Sequence, residues 1–374
     1  EVVIDADKAS ADLSVASITN TAKPPLHVPL ALTGKAETSG DKLAFTGVLR
    51  DRSKRLRSTI DIEHAFTANS GQAMLKMASV TFDPGGLQPQ DLIPAIGSQV
   101  AEVTGESALA GTIRWKRGKL ASDLELLLKD ISFKSPQADI LRLNSVVKID
   151  SLMPFATKPA QQLAAGLVDV GLPLSDLVAE FRIERGFRLV IESARLALTG
   201  GEVSMPKVAF DLTDPRADLA LTVKDVDLGE LLQLAQVEGL AGTGTLAGRI
   251  PVSLAGQSIG IHQAALAATG PGTLRYVPTQ SAAALLGSSE SVEMALQALS
   301  NFEYKELTLT LNREPGGDTV ALLHVKGQNP DFYDGYPVEL NLNVSGKLDQ
   351  ILDRSLAGYR IPETIRERLG EFGD

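Results

Sequence analysis

The chain has 374 residues, of which 44% are hydrophobic but only 5% aromatic, with a formal net charge of −10 and no cysteine. The missing cysteine excludes disulfides, thiolate chemistry and Cys-ligated zinc, and the acidic balance argues against a nucleic-acid partner, whose phosphates need a basic face. No run reaches the ~18 apolar residues of a membrane span, so the apolar surface is aliphatic and belongs to many short segments.

The chain opens inside a strand, Glu1-Val2-Val3-Ile4-Asp5, as expected of a fragment whose anchor or export signal lies upstream. Apolar and polar residues then alternate in Ala11–Thr19, Val28–Ala36 and Leu43–Leu49. The basic run from Arg50 to Arg57 follows, readable as a solvated hairpin connection or as a contact for anionic headgroups. Alternation resumes in Thr59–Phe66 and Met74–Phe82, a helical stripe is expected at Gln90–Val103, and strands return at Ile140–Ile149, Phe187–Glu192, Val203–Leu212 and Ala217–Val223. Further helical stripes are expected at Leu228–Val237 and Ser281–Leu299, strands at Tyr304–Leu311 and Val320–Val325, and short helices at Leu348–Leu356 and Glu363–Leu369. Between them Pro337–Gly346 alternates without a fault: Val338, Leu340, Leu342 and Val344 share one parity, Glu339, Asn341, Asn343 and Ser345 the other. Regular turn signals after most segments mark an antiparallel, β-dominated fold, and the helices are too few to roof every strand.

The segment Gly105–Ile113 matches Gly242–Ile250 at Gly105/Gly242, Leu109/Leu246, Ala110/Ala247, Gly111/Gly248 and Ile113/Ile250, suggesting a repeated unit of strands interrupted by a helix. Chemistry finds little support. His27, His64, His262 and His324 stand far apart, and the Ser145–Lys148 and Ser204–Lys207 pairs fall on opposite faces of strands. Gly242-x-Gly244-x-x-x-Gly248 follows a helix where a phosphate-cradling loop should precede one, and Asn329, Asp331 and Asp334 read as turn chemistry around Pro330 and Gly335 rather than as a calcium loop. No cofactor or metal is expected. Many one-sided strands with few helices leave two architectures: a filled sandwich serving as an interaction or scaffold module, or a single sheet curled into a trough whose dry face needs a hydrophobic guest. A hydrolase is a third class.

From Leu246 onward the chain resembles the YdbH branch of the AsmA-like bridge proteins of Gram-negative bacteria, relatives of TamB and YhdP. The residues carrying the resemblance are Gly248-Arg249-Ile250-Pro251-Val252, Gly270-Pro271-Gly272-Thr273-Leu274-Arg275-Tyr276, Ala295–Phe302 and Tyr336–Asn343. It implies an elongated, curled antiparallel β-sheet, a taco-like hydrophobic groove with a few short amphipathic helices, that conducts phospholipids across the periplasm. About twenty strands at ~4.8 Å spacing would make such a trough ~90 Å long. The groove is expected over residues 1–345, with amphipathic helices in 346–374 capping or flanking its end. The resemblance also implies an inner-membrane anchor near the N-terminus, missing here, and a small outer-membrane lipoprotein near the C-terminal end. Strand parity then assigns Leu219, Leu221, Val223, Leu307, Leu309, Leu311, Val338, Leu340, Leu342 and Val344 to the lipid-facing wall. The exposed parity and aromatic corner of the final strand, Phe332, Tyr333, Tyr336, Glu339, Asn341 and Asn343, are assigned to a lipoprotein that docks by β-strand addition.

Overall fold

A computed structural model of the chain describes residues 2–344 apart from 6–7, 24, 54, 98, 153, 171, 235–238, 257, 279–289 and 316–318. Among the described residues are 23 strands and two α-helices, so the mostly β reading stands. They fall into two compact units. The first holds the described residues of Glu1–Gly166 and Val178–Val190, the second those of Leu167–Leu177 and Ile191–Tyr359.

The first unit is an antiparallel meander in chain order: β1 (Val2–Asp5), β2 (Lys8–Ile18), β3 (Leu30–Ser39), β4 (Lys42–Asp51), β5 (Arg57–Ala65), β6 (Ser70–Phe82), β7 (Ala101–Lys116), β8 (Lys119–Lys134) and β9 (Asp139–Leu152), with β10 (Phe155–Thr157) returning along β9. The turn between β7 and β8 is two residues long, and Arg117 and Gly118 both take positive φ, 49° and 77°. Such a turn follows the right-handed twist of the strands it joins. Next come β11 (Gln161–Asp169), β12 (Pro173–Glu184) and β13 (Arg188–Leu198).

In the second unit β13 pairs with β14 (Gly201–Met205), which pairs with β16 (Arg216–Asp227); β15 (Val208–Asp211) lies between them in sequence. The sheet continues from β16 through β18 (Thr245–Ala255), β19 (Ser258–Ala268), β21 (Phe302–Arg313) and β22 (Thr319–Gln328) to β23 (Val338–Val344). Two excursions interrupt it. Asp227 accepts from the Glu230 amide at 2.8 Å and starts α1 (Leu228–Leu234), which buries Leu228 and Leu232 before β17 (Leu240–Gly242). The second excursion is β20 (Gly272–Tyr276) and α2 (Glu290–Leu299). Strand β20 pairs with β17 and with the first residues of β21, so both excursions gather at one end of the unit. There Leu228, Leu232, Leu274, Leu299, Phe302 and Tyr304 form the closed part of its core.

Two sequence expectations need correction. Gln90–Val103 is no α-helix but two 3-10 turns, Pro89–Asp91 and Pro94–Ile96, with β7 already begun at Ala101. Pro94 has no amide to give to a helix interior and its ring collides with the preceding turn. The first copy of the repeat therefore lacks the helix that precedes the second. One match does have a structural counterpart: at Gly111 and Gly248 alike, a Cβ would run into a carbonyl oxygen of the adjacent strand, that of Asp123 or of Ala265. Of Ser281–Leu299, α2 covers Glu290–Leu299; residues 281–289 and both stripes beyond residue 344 lie outside the described residues.

Strict alternation fails where strands bulge. Asp130, Arg142, Asp225 and Gln263 sit inside strands with φ near 50°. The register slips beside Asp130 between Leu128 and Ile131, beside Asp225 between Val223 and Val226, and beside Gln263 between Ile261 and Ala264. Each slip inserts a residue, keeps the apolar residues on both sides of it on one face, and bends the strand. The amides freed from the ladder are met by side chains of neighbouring strands: Asp130 N–H by Asn144 Oδ1 at 3.0 Å, Arg142 N–H by Ser132 Oγ at 2.9 Å, and Gln263 N–H by Asn312 Oδ1 at 2.8 Å. The cost of leaving a buried donor unpaired is thereby avoided.

The basic run forms the connection from β4 to β5, organised by the buried carboxylate of Asp51, which accepts from Leu56 N–H at 2.8 Å, Ser53 N–H at 3.1 Å and the Ser53 hydroxyl. Arg55 reaches Asp91 at 3.3 Å. Burial pushes the Asp51 carboxyl up, but bonds from Ser53, Leu56 and Arg55 outweigh it and hold the pKa below its ordinary value. A depressed folded pKa means that the stabilisation is whole above the unfolded value, about 3.9, and is lost as pH falls through the lower folded value. Amide exchange at Leu56 should therefore accelerate in a step below pH ~4. Asp51→Asn should exchange fast throughout and show no step; a step of the same size in that variant would assign it elsewhere.

Candidate functional site

In the second unit, register assembles the apolar parity of successive strands into rows. One row runs Val223, Gly248, Leu266, Leu309, Leu323, Leu342, and another runs Leu307, Val325, Leu340. The sequence-assigned wall is thus brought to one face, but unevenly covered. Val223, Leu307 and Leu309 are buried in a packed cluster with Leu246, Leu266, Leu323 and Val325. Leu221, Leu311, Val338, Leu340 and Leu342 pack partly against that cluster, and Leu219 is likewise half-buried. Val344 pairs with Ala321 through its backbone, and its side chain lies outside the described residues.

The opposite parity of β23 is exposed, as alternation requires. His324 on β22 ties two of its residues, Glu339 at 3.2 Å and Asn341 Oδ1 at 2.8 Å, while Asn343 stands across from Leu322. Among the described residues β23 is hydrogen-bonded to β22 alone. Beside β23 an apolar cleft of about 560 Å³ is lined by Met294, Ala295 and Ala298 of α2, by Phe332, Tyr333 and Tyr336, and by Val338 and Leu340. Tyr333 and Tyr336 are each 71% exposed. Asn329 keeps the turn role read from sequence, its Oδ1 accepting from Asp331 N–H, and is also buried: its Nδ2 donates to the Gln297 and Ala298 carbonyls at 2.9 and 3.1 Å, closing the C-terminus of α2.

The first unit carries an apolar face that the site assignment did not include. Register aligns Leu32, Leu49, Ser58, Met77, Leu109 and Leu126 in one row, and Ala36, Phe45, Ile62, Ala73, Ile113 and Ser122 in another four residues along. Leu32, Leu49, Ile62, Met77, Leu109, Ile113 and Leu126 are half-buried, and Leu13 and Val15 on β2 are exposed. Leu87, Leu92 and Val100, from the segment between β6 and β7, help close one end by packing with Val80, Phe82, Val103 and Ile131. Part of the signal for this face was present: Leu109, Ile113 and Trp115 share one parity of β7, with Thr112 and Arg114 on the other.

Nucleophilic chemistry gains nothing from the fold. Ser253 Oγ and His262 Nε2 lie 2.7 Å apart on the surface, but among the described residues no carboxylate orients the imidazole. No three metal-ligating side chains cluster among the described residues, and no described helix is long and apolar enough to cross a membrane. The family model described as YdbH-like, intermembrane phospholipid transport protein YdbH, matches residues 3–370, including the first half that the motifs did not reach. No curated protein and no solved structure matches the chain.

Proposed function

Because the chain belongs to the YdbH-like family of intermembrane phospholipid transport proteins, we propose that it is part of a periplasmic bridge along which phospholipids pass between inner and outer membranes, their acyl chains on the apolar sheet faces. The full-length protein is held in the inner membrane, and the lipid is carried without chemical change. One observation carries this reading: the row-aligned face of the first unit is aliphatic, continuous across β3 to β8 and only half-covered by the chain itself. A soluble domain keeps so large an apolar area open only where something hydrophobic binds. Leu, Ile, Val and Met touch an acyl chain by area, each methylene contributing ~0.8 kcal/mol without directed bonds, so discrimination between acyl chains is weak. The closed core of the second unit favours a second reading, a scaffold module that moves no lipid. Mass spectrometry of lipid extracted from the purified protein separates the two: the bridge retains phospholipid, the scaffold none.

The edge of β23 away from β22 is the proposed docking site of a small outer-membrane lipoprotein, whose added strand would extend the hydrogen-bonded wall and its apolar lining together. An open, alternating edge is an aggregation hazard unless covered, and the adjoining aromatic cleft gives an incoming side chain a pocket that sets register. Photo-crosslinkers at Glu339, Asn341 and Asn343 should capture the lipoprotein, and crosslinkers on β4 should not. Capture confined to β4, or absent at both, removes this assignment.

A further inference from the structure

At the turn end of the first unit the apolar face stops at a cleft of about 1090 Å³. Its floor is a single cross-strand row, Thr38, Leu43, His64, Gly71, Trp115, Leu120. The Trp115 indole lies over Gly71, where a Cβ would come within 2.5 Å of the ring, and it stacks on the His64 imidazole with centroids 6.0 Å apart. Trp115 Nε1–H donates to His64 Nδ1 at 3.0 Å. An imidazole that accepts at Nδ1 carries its proton on Nε2, and that second N–H has no partner among the described residues. Around this pair, strand ends place Lys8, Lys42, Lys116 and Lys119 at the cleft, none in an ion pair with a described residue. The four lysines end their strands on the parity opposite to His64 and Trp115, so only their length brings them round the strand ends to the cleft. Glu37 and Glu63 share that parity and also border the cleft, but each is already held, Glu37 by Lys35 at 2.7 Å and Glu63 by Gln72 at 3.1 Å. A chain of net charge −10 thus gathers four lysines where an aliphatic face ends in an amphipathic ring, while the nearby Asp41 carboxylate, which Lys42 and His64 also face, accepts from Thr67.

We infer that this rim binds the phosphate of a phospholipid headgroup: the lysine ammoniums and His64 Nε2–H take the phosphate oxygens, while Leu43, Leu120 and the indole receive the glycerol and the first methylenes. The inference rests on the conduit reading for the source of the lipid, and on the cleft alone for the phosphate. Ammonium and imidazole donors bind an anionic oxygen more strongly than a neutral one, and an indole suits the boundary between acyl chain and headgroup.

Trp115 is the only tryptophan in the chain, so its fluorescence reports this site alone. The probes are dihexanoyl phosphatidylglycerol, dihexanoylglycerol and inorganic phosphate, each titrated into the whole chain. Phosphatidylglycerol should shift the emission to the blue and saturate. Dihexanoylglycerol should need at least about tenfold more, and the K42Q/K116Q/K119Q variant should weaken phosphatidylglycerol binding by at least about tenfold. Lys224→Gln with Lys305→Gln, charges removed from the second unit, should change nothing. Equal responses to the two dihexanoyl probes, or an unaltered lysine variant with native circular dichroism, overturns the site. Saturation by inorganic phosphate at the same concentration replaces the lipid headgroup with a free-phosphate ligand and overturns it as stated. Lipid extraction separates this outcome from the wider reading: retained phospholipid with a silent Trp115 removes the rim and leaves the conduit, whereas a lysine-dependent response without retained lipid leaves the rim and removes the conduit.

Discussion

Leu340→Asp should strip lipid from the C-terminal end of the second unit while its neighbour Asn341→Asp leaves lipid in place. The two residues are adjacent on β23, and both variants add a carboxylate, so overall charge and edge position are matched. They differ in face: Leu340 is half-buried against the apolar cluster, and Asn341 is exposed beside His324. A carboxylate among acyl chains costs at least ~2.5 kcal/mol on membrane-insertion scales, a fall in occupancy on the order of fiftyfold. On the outer face it meets water and the His324 ring, and costs little. Leu340 is already partly open to solvent, so the strand should survive the change, and matched urea midpoints for the two variants would establish that. Photo-crosslinked lipid recovered from nearby Leu342 is the readout. Equal recovery from both folded variants would mean that lipid does not use this face.

The second large effect is on stability. Asn144→Leu keeps the branching and the number of side-chain heavy atoms and removes the amide that serves the bulge pair on β8 and β9. Asn144 is fully buried; it accepts from Asp130 N–H at 3.0 Å, and its Nδ2 donates to the Arg142 carbonyl at 3.0 Å and to the Asp130 carboxylate at 3.2 Å. Leucine would leave a backbone donor and a backbone acceptor unpaired, each costing about 1–3 kcal/mol, so the first unit should lose roughly 2–6 kcal/mol. Hydrogen exchange across β8 and β9 and the urea midpoint of the whole chain would both register it. An unchanged midpoint would mean that the bulges hold without the amide.

Gln88 and Gln161 repeat this device. Gln88 accepts from Val103 N–H at 3.0 Å and donates back to the Val103 carbonyl at 2.8 Å, standing in for a strand beside β7, and Gln161 accepts from Lys148 N–H at 2.7 Å. Both are buried, like Asn144 and Asn329. Local sequence carries no mark of them, since a buried amide and a turn amide are the same letter and only the partner strand distinguishes them.

What the chain determines by itself is the class and the facing. Period-two alternation with aliphatic residues on one parity made β23, β16, β21 and β22 legible, with their inward and outward sides, because side-chain direction in a strand follows from backbone geometry alone. The α1 helix was legible for a similar local reason, its leucine stripe beginning after Asp227. Lys119–Lys134 carries no such pattern: Leu124, Leu126, Leu127 and Leu128 are apolar on both parities, and the slip at Asp130 moves Ile131 onto the face of Leu128. Nor does β11, where Ala164, Ala165 and Leu167 are all fully buried and so present apolar surface on both sides. Tertiary structure alone decided where strands slip, which amides cap the slips, and that Trp115 meets His64 across the intervening strand β6. Those outcomes depend on which residues the register sets opposite one another, and register belongs to the pair of strands, not to either one.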